Sequence, residues 1–95
     1  MKLISITPSD RAEKRLKAVF ENKGRTKTVH FGLKGGSTYI DHKDKVKREA
    51  YIARHKVNEN FNAPTTAGSL SRWILWGNSA SQSKNIADFK KKYSL

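Results

Sequence analysis

The chain has no cysteine among its 95 residues. Disulfides and cysteine-ligated zinc are excluded as staples, so packing and hydrogen bonds must hold the fold. A cysteine-free chain also fits a reducing compartment. Long apolar runs are missing as well. The longest strongly apolar run is Trp73-Ile74-Leu75-Trp76, far short of the roughly 20 residues that cross a bilayer as a helix. The four residues Leu3 to Ile6, ahead of Thr7 and Pro8, are too few for the apolar core of a secretory signal. A soluble, non-secreted protein without membrane contact is expected. At this length the chain forms one domain, and it buries only about 60–65% of its unfolded surface.

Acidic residues are also scarce. Eight Asp and Glu face twenty Lys and Arg, for a net charge of +12. The excess is not a tail. Residues 1–34 carry nine basic and three acidic groups, residues 35–56 six and three, and residues 57–95 five and two. A compact chain charged throughout in this way repels itself, and an anionic partner relieves the repulsion. Nucleic acid is the expected anion; charge that serves only solubility is the alternative.

Alternation predicts three strands. "KLISITPS" reads as a short strand ended by Pro8, and "RLKAVFEN" sets Leu16, Ala18 and Phe20 against Lys17, Val19 and Glu21. "TKTVHFGL" places Val29, Phe31 and Leu33 on one face. The last two strands form a hairpin across a loop of about four residues, "NKGR". Gly32 to Thr38 is a connection, and Lys34 precedes its glycine pair, the wrong order for a nucleotide phosphate loop. From Asp41 the pattern turns helical, with Asp41 as N-cap and Asp44 completing a capping box. Val46, Ala50, Ala53 and Val57 form the stripe expected to face the sheet. "NENFNAPTT" reads as a loop. Thr65 or Thr66 caps a second helix, "AGSLSRWILWG", and Ser83 opens a last one bearing Ile86, Phe89, Lys90 and Tyr93. The expected fold is a single α+β domain, a small antiparallel three-stranded sheet followed by about three helices.

No catalytic constellation emerges. His30, His42 and His55 with Asp41 and Asp44 are the candidates for a metal. On one continuous helix, however, His42 and His55 stand about 20 Å apart, and catalytic sites need about three convergent ligands. No serine stands in a nucleophile turn. A second face of the first helix gathers Asp44, Arg48, Tyr51 and His55 at spacings of four, three and four. Either later segments cover Tyr51 and Ile52 and Arg48 pairs with Asp44, or the face is a binding surface. Trp73 and Trp76 read as core, with base stacking as the alternative.

The residues expected to meet phosphate fall in groups. Lys23, Arg25 and Lys27 ring the hairpin tip, and Lys34 follows it. Lys43, Lys45, Lys47, Arg48, Arg54 and Lys56 border the first helix, and Lys90, Lys91 and Lys92 close the last one. No base-reading motif accompanies them.

Taken together, "VHFGLKGGSTYIDHKD", "REAYIARHK", "TAGSLSRWILWG" and "FKKKYSL" resemble a family of small, basic, largely uncharacterised proteins of nucleocytoplasmic large DNA viruses, of the Marseillevirus and chlorovirus type. The likeness covers roughly residues 15–95. It implies a viral setting, in the virion or the infected cell, and brings no catalytic residues. The expected function is non-enzymatic, sequence-independent binding of nucleic acid, duplex DNA first, through phosphates and without cofactor or metal. A minor virion or interaction protein that binds an acidic viral or host protein is the alternative. A metal-dependent nuclease is a third reading, and homodimerisation stays open.

Overall fold

The computed structural model describes residues 1–56 and 63–95. Val57 and the first part of the loop that follows it lie outside them.

Three strands, β1 (Lys2–Pro8), β2 (Lys14–Asn22) and β3 (Arg25–Leu33), form an antiparallel sheet in the order β1-β2-β3. Successive side chains on a strand point to opposite faces. Leu16, Ala18 and Phe20 therefore share the covered face, opposite Phe31 and Val29 on β3. On β1 the register shifts between Leu3 and Ser5. The bulge re-phases the strand. Leu3 pairs with Phe20 and Ile6 with Ala18, so two residues three apart both meet the core, while Ile4 is 52% exposed.

The hairpin turn is tighter than its sequence suggests. Asn22 pairs with Arg25, which leaves only Lys23 and Gly24 in the turn. Both have positive φ, 53° and 79°. That is the pattern of a type I′ turn, whose twist matches the flanking strands. Glycine takes it freely, whereas a lysine does so at a cost.

The helices cover one face of the sheet in the expected α+β arrangement, and they follow the strands in the chain. Leu70, Ile74, Leu75 and Phe89 are buried against Leu3, Leu16, Ala18, Phe20 and Phe31. Their boundaries correct the sequence reading in three places. The helix expected to begin at Asp41 is two: α1 (Tyr39–His42) and α2 (Lys45–His55). Lys43 sits between them with φ 57° and ψ 27°, which stops one helix before Asp44 caps the next. Asp41 is not an N-cap but the third residue of α1, where it completes a box with Thr38. The second helix, α3 (Ala67–Leu70), is capped by Thr66 and runs on as a π-helical turn over Ser71–Leu75. The last helix, α4 (Gln82–Tyr93), is opened by Ser81 rather than Ser83, through a bond from Lys84 N.

The orientation of α2 is the largest correction. Val46 is 78% exposed, and Ala50 and Ala53 are exposed too. The half-buried positions are Arg48, Tyr51, Ile52 and His55. The face that meets the rest of the molecule is the one carrying long aromatic and guanidinium groups. These reach a neighbour farther away than a methyl group can, so α2 lies at the edge of the core.

Candidate nucleic-acid interface

What α2 reaches is the turn after the π-helical segment. The Tyr51 and Trp76 rings lie nearly parallel, 3° apart, with centroids 4.3 Å apart. His55 stacks on the other side of Tyr51 at 4.2 Å, and His42 approaches Trp76 at 5.3 Å. Rings from α1, α2 and the turn thus make one column. Offset stacking of this kind adds about 0.5–1.5 kcal/mol per pair beyond the area buried. Arg48 does not pair with Asp44. Its Nε donates to Gly77 O at 2.8 Å and its NH2 to Asn78 Oδ1 at 2.7 Å. Asp44 instead accepts from Val46 N and Lys47 N as the cap of α2.

The turn itself is fixed from α4. Asn85 is 1% exposed. Its Nδ2 donates to Ile74 O and Ser79 O, and its Oδ1 accepts from Ser79 N. A buried amide must find such partners or lose stability. It lies so close to Gly77 that a Cβ there would stand 2.6 Å from its Cγ and 2.3 Å from Trp73 O. The tryptophans expected in the core sit at its rim, half-buried and packed against it.

A second polar hub holds α1. Asp41 Oδ2 accepts from Thr38 N, Thr38 Oγ1 and Arg15 NH1, and its Oδ1 accepts from Arg15 NH2. The bidentate Arg15 pair holds the Asp41 carboxyl far below the usual carboxylate range, and the Thr38 bonds add to this. The same pairing raises Arg15.

The histidines are dispersed among structural duties. His42 Nδ1 accepts from Asp44 N, which leaves the proton on Nε2; that nitrogen is buried beside Trp76 without a hydrogen-bond partner among the described residues. His30 Nδ1 meets Ser9 Oγ at 2.7 Å. Among the described residues, no three His, Asp or Glu side chains gather as metal ligands would. His42 and His55 are not on one helix, so the spacing argument that separated them does not apply; each has its own place in the ring column.

The basic residues expected to meet phosphate lie mostly at the surface. Lys23, Arg25 and Lys27 project from a hairpin arm whose residues 21–28 are all exposed. Lys34, Lys43, Lys45, Lys47, Arg54 and Lys56 are exposed along the linker and α2, and Lys90, Lys91 and Lys92 on α4. Arg48 alone of the expected contacts is half-buried, its guanidinium tied to Gly77 and Asn78. Lys47 and Arg54 also line a shallow cavity of about 280 Å³ with Ser37, His42, Ala50 and Trp76. No helix among the described residues is long and apolar enough to cross a membrane.

The class is thus a small, strongly basic α+β domain in which a twisted three-stranded antiparallel sheet carries helices on one face. Residues 4–55 match a family of unknown function, DUF5754. An uncharacterised protein of Acanthamoeba polyphaga mimivirus, L851, is 40% identical over 80 residues, covering 77% of this chain and 80% of that protein. The chain belongs to the DUF5754 family, and its relative sets it among giant-virus proteins, as the resemblance implied. The match begins at residue 4 and so takes in most of β1, which the resemblance had left aside. No solved structure matches the chain.

Proposed function

We propose that the protein is a non-enzymatic nucleic-acid-binding protein that contacts duplex DNA mainly through phosphates, with little sequence preference. One observation carries this reading. Twelve of the thirteen expected contact residues, all but Arg48, are exposed, and none of them pairs with a carboxylate among the described residues. Each is a cation available to displace the counterions that condense on DNA. The hairpin arm adds reach, because a two-stranded β-ribbon fits the major groove of B-DNA. Its turn holds Lys23 in a left-handed conformation, and an unfavourable conformation kept at an exposed tip supports a role for that side chain. The natural setting of such binding is the virion or the infected cell.

The test is a salt titration of duplex binding with several unrelated sequences. Affinity falls steeply between about 50 and 200 mM salt, by a similar factor for each sequence. A flat salt dependence, or binding to one sequence alone, sinks the reading.

A second reading rests on α2. Val46, Ala50 and Ala53 form an exposed apolar stripe between Lys47, Arg54 and other basic residues. That pattern suits the helix of an acidic protein lying across α2. Val46→Asp then abolishes capture of a stoichiometric protein partner that survives nuclease treatment, whereas under the DNA reading the change costs only one unit of charge.

A further inference from the structure

Two guanidiniums converge on the turn at residues 76–78, and an ammonium lies on the ring of Trp73 beside it. Arg48 reaches it from α2 through Gly77 O and Asn78. Arg72 reaches it from the π-helical segment, NH1 donating to Trp76 O at 3.0 Å. Two consecutive carbonyls therefore tie two guanidiniums side by side. The Arg72 guanidinium lies 4.1 Å from the centroid of the Trp73 ring, and the Lys92 ammonium lies 4.6 Å from the same centroid.

Among the described residues none of the three has an ion pair. The nearest acid in sequence to Lys92, Asp88, is held by Lys84 at 3.2 Å. Burial lowers the pKa of Arg72, and the charge of Arg48 lowers it further. Held on the adjacent carbonyls of Trp76 and Gly77, the two guanidiniums oppose one another. Like charges partly withdrawn from water without a counter-ion are costly. Carbonyl and ring contacts offset part of that cost, and an anion beside the two guanidiniums offsets more. An arginine carries five N–H donors, of which these bonds use two on Arg48 and one on Arg72.

We propose that Arg48 and Arg72 form a phosphoryl-binding site at residues 76–78, with Lys92 at its rim on Trp73. The guanidiniums supply forked donors for phosphate oxygens, and Lys92 supplies a mobile charge at the rim. The occupant is a phosphate of the nucleic-acid backbone; that part rests on the function proposed above. The site would make one phosphate of the bound strand a fixed point, while the remaining lysines act as diffuse charge.

The experiment follows tryptophan fluorescence, since Trp73 and Trp76 border the site. The full chain is titrated with inorganic phosphate, pyrophosphate and a short DNA duplex, alongside Arg72→Gln and Lys92→Gln. Saturable signals are expected with pyrophosphate and duplex, each weakened about tenfold in either variant, the loss of one charge-assisted contact. Lys92 is exposed, so Lys92→Gln keeps the wild-type melting temperature and serves if Arg72→Gln fails to fold. No saturable signal with pyrophosphate or duplex, or variants that titrate like wild type, overturns the site. Pyrophosphate binding that the variants lose, with no duplex binding by wild type, keeps the site and removes the nucleic-acid reading. Duplex binding that both variants retain, without any pyrophosphate signal, does the reverse.

Discussion

Tyr51 stacks on Trp76 with ring planes only 3° apart, and this contact fixes α2 to the body of the molecule. α2 contributes no buried residue to the core, so its attachment rests on this stack, on the Arg48 bonds and on half-buried Ile52. Tyr51→Leu keeps an apolar group but loses the ring pairing, and about 1 kcal/mol of stability with it. Hydrogen exchange checks the location of the effect. Amides of residues 45–55 lose protection while those of β2 and β3 change little, because α2 opens as a local unit.

Gly77 and Asn85 form a tight joint. Gly77→Ala puts a methyl group 2.3 Å from Trp73 O, and relief requires the turn to shift. A loss of about 3 kcal/mol is expected, at the upper end of overpacking costs. Asn85→Leu fills the same volume but strands Ile74 O, Ser79 O and Ser79 N, at about 2–4 kcal/mol for buried polar groups left unmet. Chemical denaturation with an unchanged slope measures both.

Asp41 gives the fold an acid sensitivity. Its pKa is lower in the folded chain than its unfolded value, which lies near 3.9. Its stabilising contribution is therefore complete above about pH 4 and lost as pH falls from there towards the lower folded value. Asp41→Ala costs about 1 kcal/mol at pH 7, chiefly through the cap; the exposed Arg15 pair adds little because solvent screens it. Melting temperatures of wild type and variant converge as the pH is lowered from 5 towards 2. Parallel curves would show that Asp41 is not the responsible group.

The hairpin tip separates binding from folding. Asn suits the left-handed position of Lys23 better than Lys does, so Lys23→Asn raises stability by up to about 1 kcal/mol. It also removes one charge from the arm. Under the proposed function the slope of log affinity against log salt falls by about 0.9 for each phosphate contact removed. A variant that melts higher and binds duplex with an unchanged slope takes the hairpin out of the interface.

Much of the architecture was legible because alternation is a local signal. Leu16, Ala18 and Phe20 announced β2 and its inner face, whereas the placement of the basic residues in three dimensions was not legible. The break between α1 and α2 was harder to see, since Lys43 is not a residue type that marks a left-handed joint. Its trace lay in two overlapping caps, Thr38 with Asp41 and then Asp44, within seven residues. The direction of α2 was not readable at all from its own sequence. Alanine stripes pack well, but the choice of face was made by Trp76, Gly77 and Asn78, more than twenty residues away. Arg72 was passed over for the same reason. Alone in "SRWILW" it forms no pattern, and its companions come from α2 and α4.

The ring column and the turn at residues 76–78 also say where this chain can be cut. The family match ends at His55, yet Trp76, Gly77 and Asn78, the groups that receive Tyr51 and Arg48, lie beyond it. So do Leu70, Ile74 and Phe89, which roof Phe20 and Phe31. The segment that the family match covers is therefore not a unit of folding. Expressed without the C-terminal helices, it would present a bare apolar sheet face and an unroofed aromatic edge, and it would associate with itself before it met any partner.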